Sequence, residues 1–357
     1  MKKFGYIVSI IFLTAFTGCV KMEIDPAPKD MVIFSVGHYI RTSKAASLLD
    51  TDGGITSFKS KAYLYAEGYM DRAQSFFGSN GETISWNAST SQWAPSHPYY
   101  WPKSSNSYIN FVSWYDRNGA PTNVSETALS WNIDGSSRSI AADDNIMFAD
   151  EAWHYNQNTT NAAQYTGDEV LVGVPTLFHH ALAQVSFRLK ATTLSDGGTT
   201  WEIYATDFSV SNVYKTGSLS LSNEDPGTNQ TRAWTGDWAT TGTPDSLAAP
   251  GAGVAINPTD TVAYIMQNRS VIPQSTDSMV LSCNIHIRSN YADNSYMIED
   301  VPFSANLSDF TGDSGAWAMN HHIIYTLKVN PNTGKILFDP TLLEGWTTDA
   351  NNLMYIE

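Results

Sequence analysis

The sequence predicts an all-β protein made of two tandem β-sandwich domains, with few or no long helices. The first observation is a period of two in the hydrophobic pattern, which is typical of half-buried strands. The second is that many such segments follow one another, separated by turns rich in Gly, Asn and Pro. The third is length, because 357 residues suffice for two ordinary domains.

The alternation can be followed along the chain. Phe58, Ala62 and Leu64 alternate with Lys59 and Lys61, which predicts a strand with one buried face. Comparable apolar strand segments lie at 108–115, 129–133, 185–189, 208–210, 262–264 and 323–329. A hairpin turn is predicted at 331–334, where Gly334 supplies a positive φ. By contrast, residues 223–258 are rich in Gly, Thr, Pro and Asn and are predicted to be long loops.

We divide the chain into four parts. These are a signal peptide over residues 1–18, a tether over 19–30, an N-terminal sandwich over 31–176 and a C-terminal sandwich over 177–357. The boundary follows Val174-Pro175-Thr176, before a strand that is predicted to begin at Leu177.

The start of the chain predicts an exported lipoprotein that is held to the membrane through Cys19. Lys2 and Lys3 precede an uncharged run from Phe4 to Phe16, and a basic start before a short apolar stretch is typical of a secretory signal. The run is shorter than the roughly 20 apolar residues of a membrane span. Small residues then lead into Cys19, whose sulfur can receive a diacylglyceryl group. The alternative is an ordinary secretory signal with a chance cysteine.

Composition excludes several function classes. A net charge of −15 argues against nucleic acid as a partner. The chain contains two cysteines, so lipidation of Cys19 leaves no intramolecular disulfide, and Cys283 on an apolar strand face is predicted to be a buried, inert thiol. No Gly-x-Ser-x-Gly, His-Glu-x-x-His or phosphate-loop motif occurs. We therefore predict no enzymatic activity and no cofactor.

Two polar clusters resemble metal sites. His179-His180 and His321-His322 are adjacent pairs, and neighbours on a strand point to opposite faces, so neither pair can chelate one ion. Asp143-Asp144-Asn145 with Asp150-Glu151 offers oxygen ligands for calcium, but the spacing fits a solvated acidic turn better. We predict no metal.

Aromatic residues cluster between positions 86 and 101. Trp86, Trp93 and Trp101 would form a platform for sugar rings if they were exposed. Core packing is favoured, because sandwiches need large side chains in their interior. The platform remains the basis of an alternative function, a glycan-binding outer-membrane surface lipoprotein.

Several sequence blocks together resemble a known family. In order, they are 58–66, 100–102, 108–115, 145–149, 177–187, 271–274, 325–329, 336–340 and Trp346. Their order and spacing after Cys19 resemble the fimbrillin family, the subunits of type V pili in Bacteroidetes.

The resemblance implies more than the residues show by themselves. It implies transthyretin-like topology for both sandwiches, export as an outer-membrane lipoprotein to the cell surface, and incorporation into a fimbria that contributes to adhesion. It also implies a maturation protease that cuts after an arginine and removes the first strand. The vacated groove then accepts a strand from a neighbouring subunit, so the implied partners are other pilus subunits of the same family.

Transferred to this chain, the candidate first strand is Met31–Ile40, with Val32, Phe34 and Val36 facing inward. The implied cut falls between Arg41 and Thr42. The alternative is that Arg41 is an uncleaved loop residue of an anchor, tip or accessory subunit. The subunit's place in the pilus, the donated strand and the adhesion ligand stay open.

Overall fold

The computed structural model describes residues 31–38, 47–48, 55–90, 92–156, 173–223, 231–249, 251, 255–310 and 315–345. The fold is all-β, as predicted, and the only helical element among these residues is one 3-10 turn at Leu307–Asp309. None of the helical structure in the described part of the chain is long and apolar enough to cross a membrane.

Twelve strands form the first half. They are β1 Phe34–His38, β2 Ser47–Leu48, β3 Ser57–Tyr65, β4 Gln74–Ser75, β5 Glu82–Asn87, β6 Gln92–Pro95, β7 Tyr108–Asp116, β8 Asn123–Val124, β9 Ala128–Ile133, β10 Ile146–Ala149, β11 Glu151–Tyr155 and β12 Val174–His180.

Sixteen strands follow. They are β13 Ala183–Ala191, β14 Ser195–Asp196, β15 Thr199–Val213, β16 Thr216–Asn223, β17 Thr231–Arg232, β18 Trp234–Thr235, β19 Trp238–Thr241, β20 Asp245–Ala248, β21 Val262–Val271, β22 Gln274–Ser275, β23 Val280–Asn290, β24 Tyr296–Asn306, β25 Ala316–Trp317, β26 His321–Asn330, β27 Lys335–Phe338 and β28 Leu342–Gly345.

The first half contains a sheet that closes on itself. Its pairings run β3, β7, β10, β12, β1, β6, β5 and back to β3. The ring encloses an apolar core to which β1, β3, β7 and β12 contribute aromatic side chains or valines. A closed ring leaves no free edge along these strands, so each strand in it is held from both sides.

A second, smaller sheet covers the outside of this ring. It has the order β18, β16, β9, β8, with β19 also paired to β16. Trp131 and Leu219 from this sheet pack with Val112 and Trp114 of β7, whereas Phe111 of the same strand faces the ring interior. Strand β7 is therefore buried on both faces, which explains why its sequence is apolar with little alternation.

The second half is a β-sandwich. One sheet has the order β21, β13, β26, β27, with β28 also on β26, and the other has the order β14, β15, β23, β24, with β20 on β15. Their inner faces form one core that includes Phe187, Ile203 and Tyr325. Cys283 lies in this core, as predicted, and burial raises the pKa of its thiol to about 12.

The connection between the two halves differs from the expected one. The boundary expected after Thr176 falls inside β12, which pairs with β1 and β10 of the ring. After β15 the chain also leaves the sandwich, because β16 pairs with β9 of the first half, and it returns with β20. The region expected to be loops thus contains β17 to β20, which are too short to show a period of two.

Candidate functional site

The candidate site is the position that β1 occupies in the closed sheet, between β12 and β6. β1 runs parallel to β12 over five residues, from Phe34 opposite Val174 to His38 opposite Phe178. On its other side Phe34 pairs with Trp93 of β6, and β2 pairs antiparallel with the end of β1. Removing β1 would open the ring and leave the backbone groups of β12 without their ladder partners.

The side chains of this segment fill the ring interior. Val32, Phe34 and Val36 are 0%, 3% and 1% exposed and belong to the core of the ring. The Phe34 ring meets Phe58 and Phe111 edge to face, with centroid distances of 5.7 and 5.5 Å. Alternate residues of β1 and of the extended segment just before it thus act as three anchors in the core.

We call the residues that surround β1 the first-strand groove, defined as Phe58, Phe77, Trp93, Phe111 and Val174. Full burial of a Val or Phe side chain stabilises by about 1.5–3 kcal/mol, so the three anchors together contribute about 5–9 kcal/mol. A whole domain is stable by only about 5–15 kcal/mol. The ring without β1 is therefore expected to be unstable unless another segment fills the groove.

Gly173 allows β1 to lie close to β12. Its φ is +127°, and a Cβ added there would lie 2.8 Å from the carbonyl oxygen of Ile33. The same oxygen accepts a hydrogen bond from the Val174 N–H at 2.8 Å. A glycine is needed here both for the backbone conformation and for the close approach. Sequence reasoning missed this residue, because a single glycine before a strand carries no distinctive signal.

A buried carboxylate fixes the start of the same segment. The Val32 N–H donates to the Tyr99 carbonyl at 2.9 Å, and the Tyr99 hydroxyl donates to Glu82 Oε2 at 3.0 Å. Burial by itself would raise the pKa of Glu82, but hydrogen bonds from Ser96 and Tyr99 outweigh it and lower that pKa. Glu82 is thus held ionised as an acceptor, and it positions Tyr99 beside Val32 at the start of this segment.

Cys19, Arg41 and Thr42 are outside the described residues, although Arg41 and Thr42 fall in sequence between β1 and β2. Trp93 and Trp101 are 3% and 5% exposed. Both side chains therefore pack in the core of the closed ring and form no exposed platform.

Trp86 is not a free platform residue either. It is only partly buried, but it packs against the ring core and contacts Trp93 with a ring-centroid distance of 5.8 Å. The structure therefore does not bring the three tryptophans together on an exposed face.

The histidine pairs make hydrogen bonds within the fold. His180 Nδ1 lies 2.8 Å from Asn145 Oδ1, and His322 Nε2 lies 2.9 Å from Ser186 Oγ. His179 Nε2 lies 3.1 Å from Asp150 Oδ1. Within the described ranges no group of three or more His, Cys, Asp or Glu residues is placed to hold a metal ion.

The acidic segment is not the solvated turn that we expected. The Asp144 side chain is 0% exposed and lies 2.6 Å from Arg138 Nη1, and Glu151 is likewise buried, 3.6 Å from Arg232 Nη1. Arg232 is distant in sequence from Glu151, and a turn separates Arg138 from Asp144. No local sequence pattern therefore predicts these two pairs. Burial of a carboxyl group is costly without a polar partner, and an arginine lies beside each of these two.

Comparison with known proteins places the fold. The sequence profile of a family described as fimbrillin-like matches residues 57–346. A fimbrial protein from Bacteroides vulgatus is 14% identical, with a TM-score of 0.54, over 89% of this chain and 100% of that chain. At this identity the likeness shows the fold alone.

Two further solved structures are similar over much of the chain but less closely. The fimbrial anchor protein Mfa2 from Porphyromonas gingivalis is 9% identical, with a TM-score of 0.33, over 89% of this chain and 99% of that chain. A proposed polysaccharide-binding protein from Bacteroides thetaiotaomicron is 11% identical, with a TM-score of 0.38, over 89% of this chain and 96% of that chain. No curated protein sequence matches this chain significantly.

Proposed function

Because this chain belongs to the fimbrillin-like family, we propose that it is a structural subunit of a cell-surface fimbria and contributes to adhesion. In this proposal a protease cuts between Arg41 and Thr42 and removes β1. The first-strand groove then accepts a strand from a neighbouring subunit of the same family. A head-to-tail contact of this kind does not close on itself and builds a filament.

One observation carries the proposal. The first strand contributes three buried anchors and one parallel ladder to an otherwise complete ring. An extended segment that replaces it would restore the same hydrogen bonds and fill the same pockets, as in recognition by strand addition.

The test is controlled cleavage. Purified chain is treated with an arginine-specific protease, and higher-order assembly is followed by light scattering and electron microscopy. We expect filaments only after the cut at Arg41. The matched control is Arg41→Lys, which keeps the charge but resists this protease. Filaments formed equally by the control, or none formed by the cut chain, would contradict strand exchange.

We further propose that Cys19 carries the lipid that brings the chain to the outer membrane. In this proposal the lipid leaves with the first strand if Arg41 is cut. Metabolic labelling with a fatty acid tests it. Label is expected on the uncut chain and on the released N-terminal fragment, and Cys19→Ser is expected to abolish it. Equal labelling of Cys19→Ser would contradict the assignment.

The glycan-binding alternative lacks its supporting platform. Trp93 and Trp101 are core residues, and Trp86 packs against that core. We therefore prefer the subunit role, in which Trp93 lines the first-strand groove.

A further inference from the structure

A polar cavity lies on the outside of the ring, beside the second sheet. Its volume is about 310 Å³, which is at the lower end of the range for small-ligand pockets. Trp114 borders the cavity and also packs with the second sheet. The exposed residues Lys59 and Asn80 line it as well, so it opens to solvent. We call this space, which Thr83 and Asp116 also line, the outer cavity.

The strand register arranges the lining residues in two rows. Lys59 of β3 pairs with Thr83 of β5 on one side and with β7 on the other. Because neighbouring Phe58 points into the ring core, alternation directs this row to the outside. Ser57 of β3 and Asp116 of β7 lie two residues from the row and face the same way. Sheet spacings put the two rows about 7 Å apart and β5 about 10 Å from β7.

The outer cavity includes a buried carboxylate with an unsatisfied oxygen. The Asp116 side chain is 1% exposed, and its Oδ1 accepts a hydrogen bond from Arg138 Nη2 at 2.9 Å. The backbone N–H of Asn118 donates to the same oxygen at 3.1 Å. By contrast, Asp116 Oδ2 has no hydrogen-bond partner among the described residues. Because buried polar atoms in native structures nearly always have a partner, we expect a bound molecule to supply a donor at Oδ2.

The charges around the outer cavity balance, which disfavours a charged ligand. Asp116 and Asp144 carry two negative charges, and Arg138 contacts both of them. Lys59 adds the second positive charge on the other side of the cavity. An ion that entered this partly buried space would lose hydration and find no net opposite charge to compensate for it.

Three further charged groups lie close by and leave this balance unchanged. Arg117 and Asp143 form an ion pair with an N–O distance of 3.0 Å. Glu82 precedes Thr83 and therefore faces the other side of β5, where the Tyr99 hydroxyl donates to it. The electrostatic environment is thus suited to an uncharged polar molecule.

We infer that the outer cavity binds a single neutral sugar unit through its hydroxyl groups. A hydroxyl both donates and accepts, so a sugar can donate to Asp116 Oδ2 and accept from Lys59 or Asn80. An apolar ligand would leave these groups and the Thr83 hydroxyl unpaired. A pyranose ring with its hydroxyls has the breadth of the two rows, and the half-buried Tyr115 offers an apolar surface for the ring carbons.

The inference deepens the adhesive part of the proposed function and rests on it only for the biological role of the bound sugar. Trp86, Trp93 and Trp101 take no part in the outer cavity, so the site is separate from the aromatic platform. A sugar site on a fibre subunit would recur along the fibre, and many weak contacts would then add up to firm attachment.

Saturation-transfer NMR on the intact, uncut chain tests the inference. The probes are D-glucose, D-galactose, D-mannose and N-acetyl-D-glucosamine, with D-glucosamine and D-glucuronate as a cationic and an anionic analogue. We expect saturation transfer to at least one neutral sugar and weaker transfer to both charged analogues. Transfer to none of the neutral sugars would overturn the inference and leave the cavity to water. Tighter binding of either charged analogue would overturn it as well.

Two conservative variants test whether the sugar lies in the outer cavity. Thr83→Val removes a hydroxyl at nearly constant size, and Lys59→Met removes the ammonium group but keeps most of the stem. Each is expected to weaken binding by roughly two- to tenfold, the usual effect of one lost hydrogen bond. Lys335→Met, at an exposed position in the second half, is the matched control and should bind like wild type. Equal melting temperatures show that the variants are folded, and unchanged binding in both cavity variants would overturn the inference.

Filament assembly is a separate outcome. A chain that binds a neutral sugar but forms no filaments after the cut at Arg41 would contradict strand exchange and leave the sugar site standing. Filaments formed by a chain that binds none of the neutral sugars would overturn only the inference about the outer cavity.

Discussion

At the scale of single residues, Phe34 is the side chain on which the first strand depends most. It is 3% exposed and touches three other phenylalanine rings, Phe58, Phe77 and Phe111. Neither flanking valine offers a comparable surface. Its period-two position among Val32 and Val36 was visible in the sequence, but the three rings that surround it come from distant strands and were not.

Truncation of the Phe34 side chain tests how much it contributes to stability. Phe34→Ala is expected to reduce the free energy of unfolding of the first half by about 3–5 kcal/mol. This is the usual cost of replacing a buried phenylalanine by alanine, which leaves a cavity in the core. Urea unfolding followed by tryptophan fluorescence measures it. Tyr100→Ala, at an exposed residue nearby, is the control and should cost little. A loss equal to that of the control would show that Phe34 is not an anchor.

A buried carboxylate gives a pH dependence. The pKa of Glu151 is raised to about 8, chiefly by burial of its carboxyl group. The nearby Arg232 opposes this increase, and the negative charge of Glu126 adds to it. In the unfolded chain the carboxyl group has its ordinary pKa of 4.5, so between the two pKa values the folded state binds a proton that the unfolded state does not. Its contribution to stability is full below pH 4.5 and is lost as the pH rises through about 8.

The matching measurement compares wild type with Glu151→Gln. Wild type is expected to lose more stability between pH 5 and pH 8 than the variant, whose amide cannot ionise. Urea unfolding at both pH values gives the difference. Equal slopes in the two proteins would show that the Glu151 pKa is not raised in the folded state.

At the scale of elements, the groove is expected to bind an isolated strand. A chain that begins at Thr42 should be destabilised, and a peptide of residues 31–40 should raise its melting temperature by binding only the folded form. The same peptide with Phe34→Ala should bind more weakly. Thermal unfolding measures both, and no shift with either peptide would contradict a strand-accepting groove.

A different prediction concerns β16, β18 and β19, which join the outer sheet of the first half. Leu219 lies in the second part of the sequence but packs in the outer core of the first half. Leu219→Ala is expected to destabilise the first half by about 2–5 kcal/mol without loosening the sandwich. Cys283, buried in the sandwich core, reports on the latter through its rate of thiol labelling. Faster labelling in the variant would show that the halves unfold together.

The long strands, such as β3, β13 and β26, could be predicted from the sequence. Alternation of apolar and polar residues over many positions indicates a strand with one buried face. The hairpin at Gly334 was readable as well, since its φ of +63° suits glycine. The pairing of β16 with β9 was not, because register between distant segments leaves no local pattern. The transthyretin-like topology implied by the resemblance stays a prediction.

At the scale of the whole molecule, the closed ring and the proposed assembly both depend on the first strand. Met31 forms an isolated bridge with Tyr100 just before β1, and β1 itself pairs with β12 and β6. Removal of this segment therefore opens the ring, and in the proposed function a strand from a neighbouring subunit closes it again.

The most direct measurement is the N-terminus of the chain in fibres extracted from the cell surface, determined by mass spectrometry of the first peptide. We expect a chain that begins at Thr42, with no trace of Val32, Phe34 or Val36 in the same polypeptide. Fibres whose subunits begin at lipidated Cys19 and keep the first strand would contradict it.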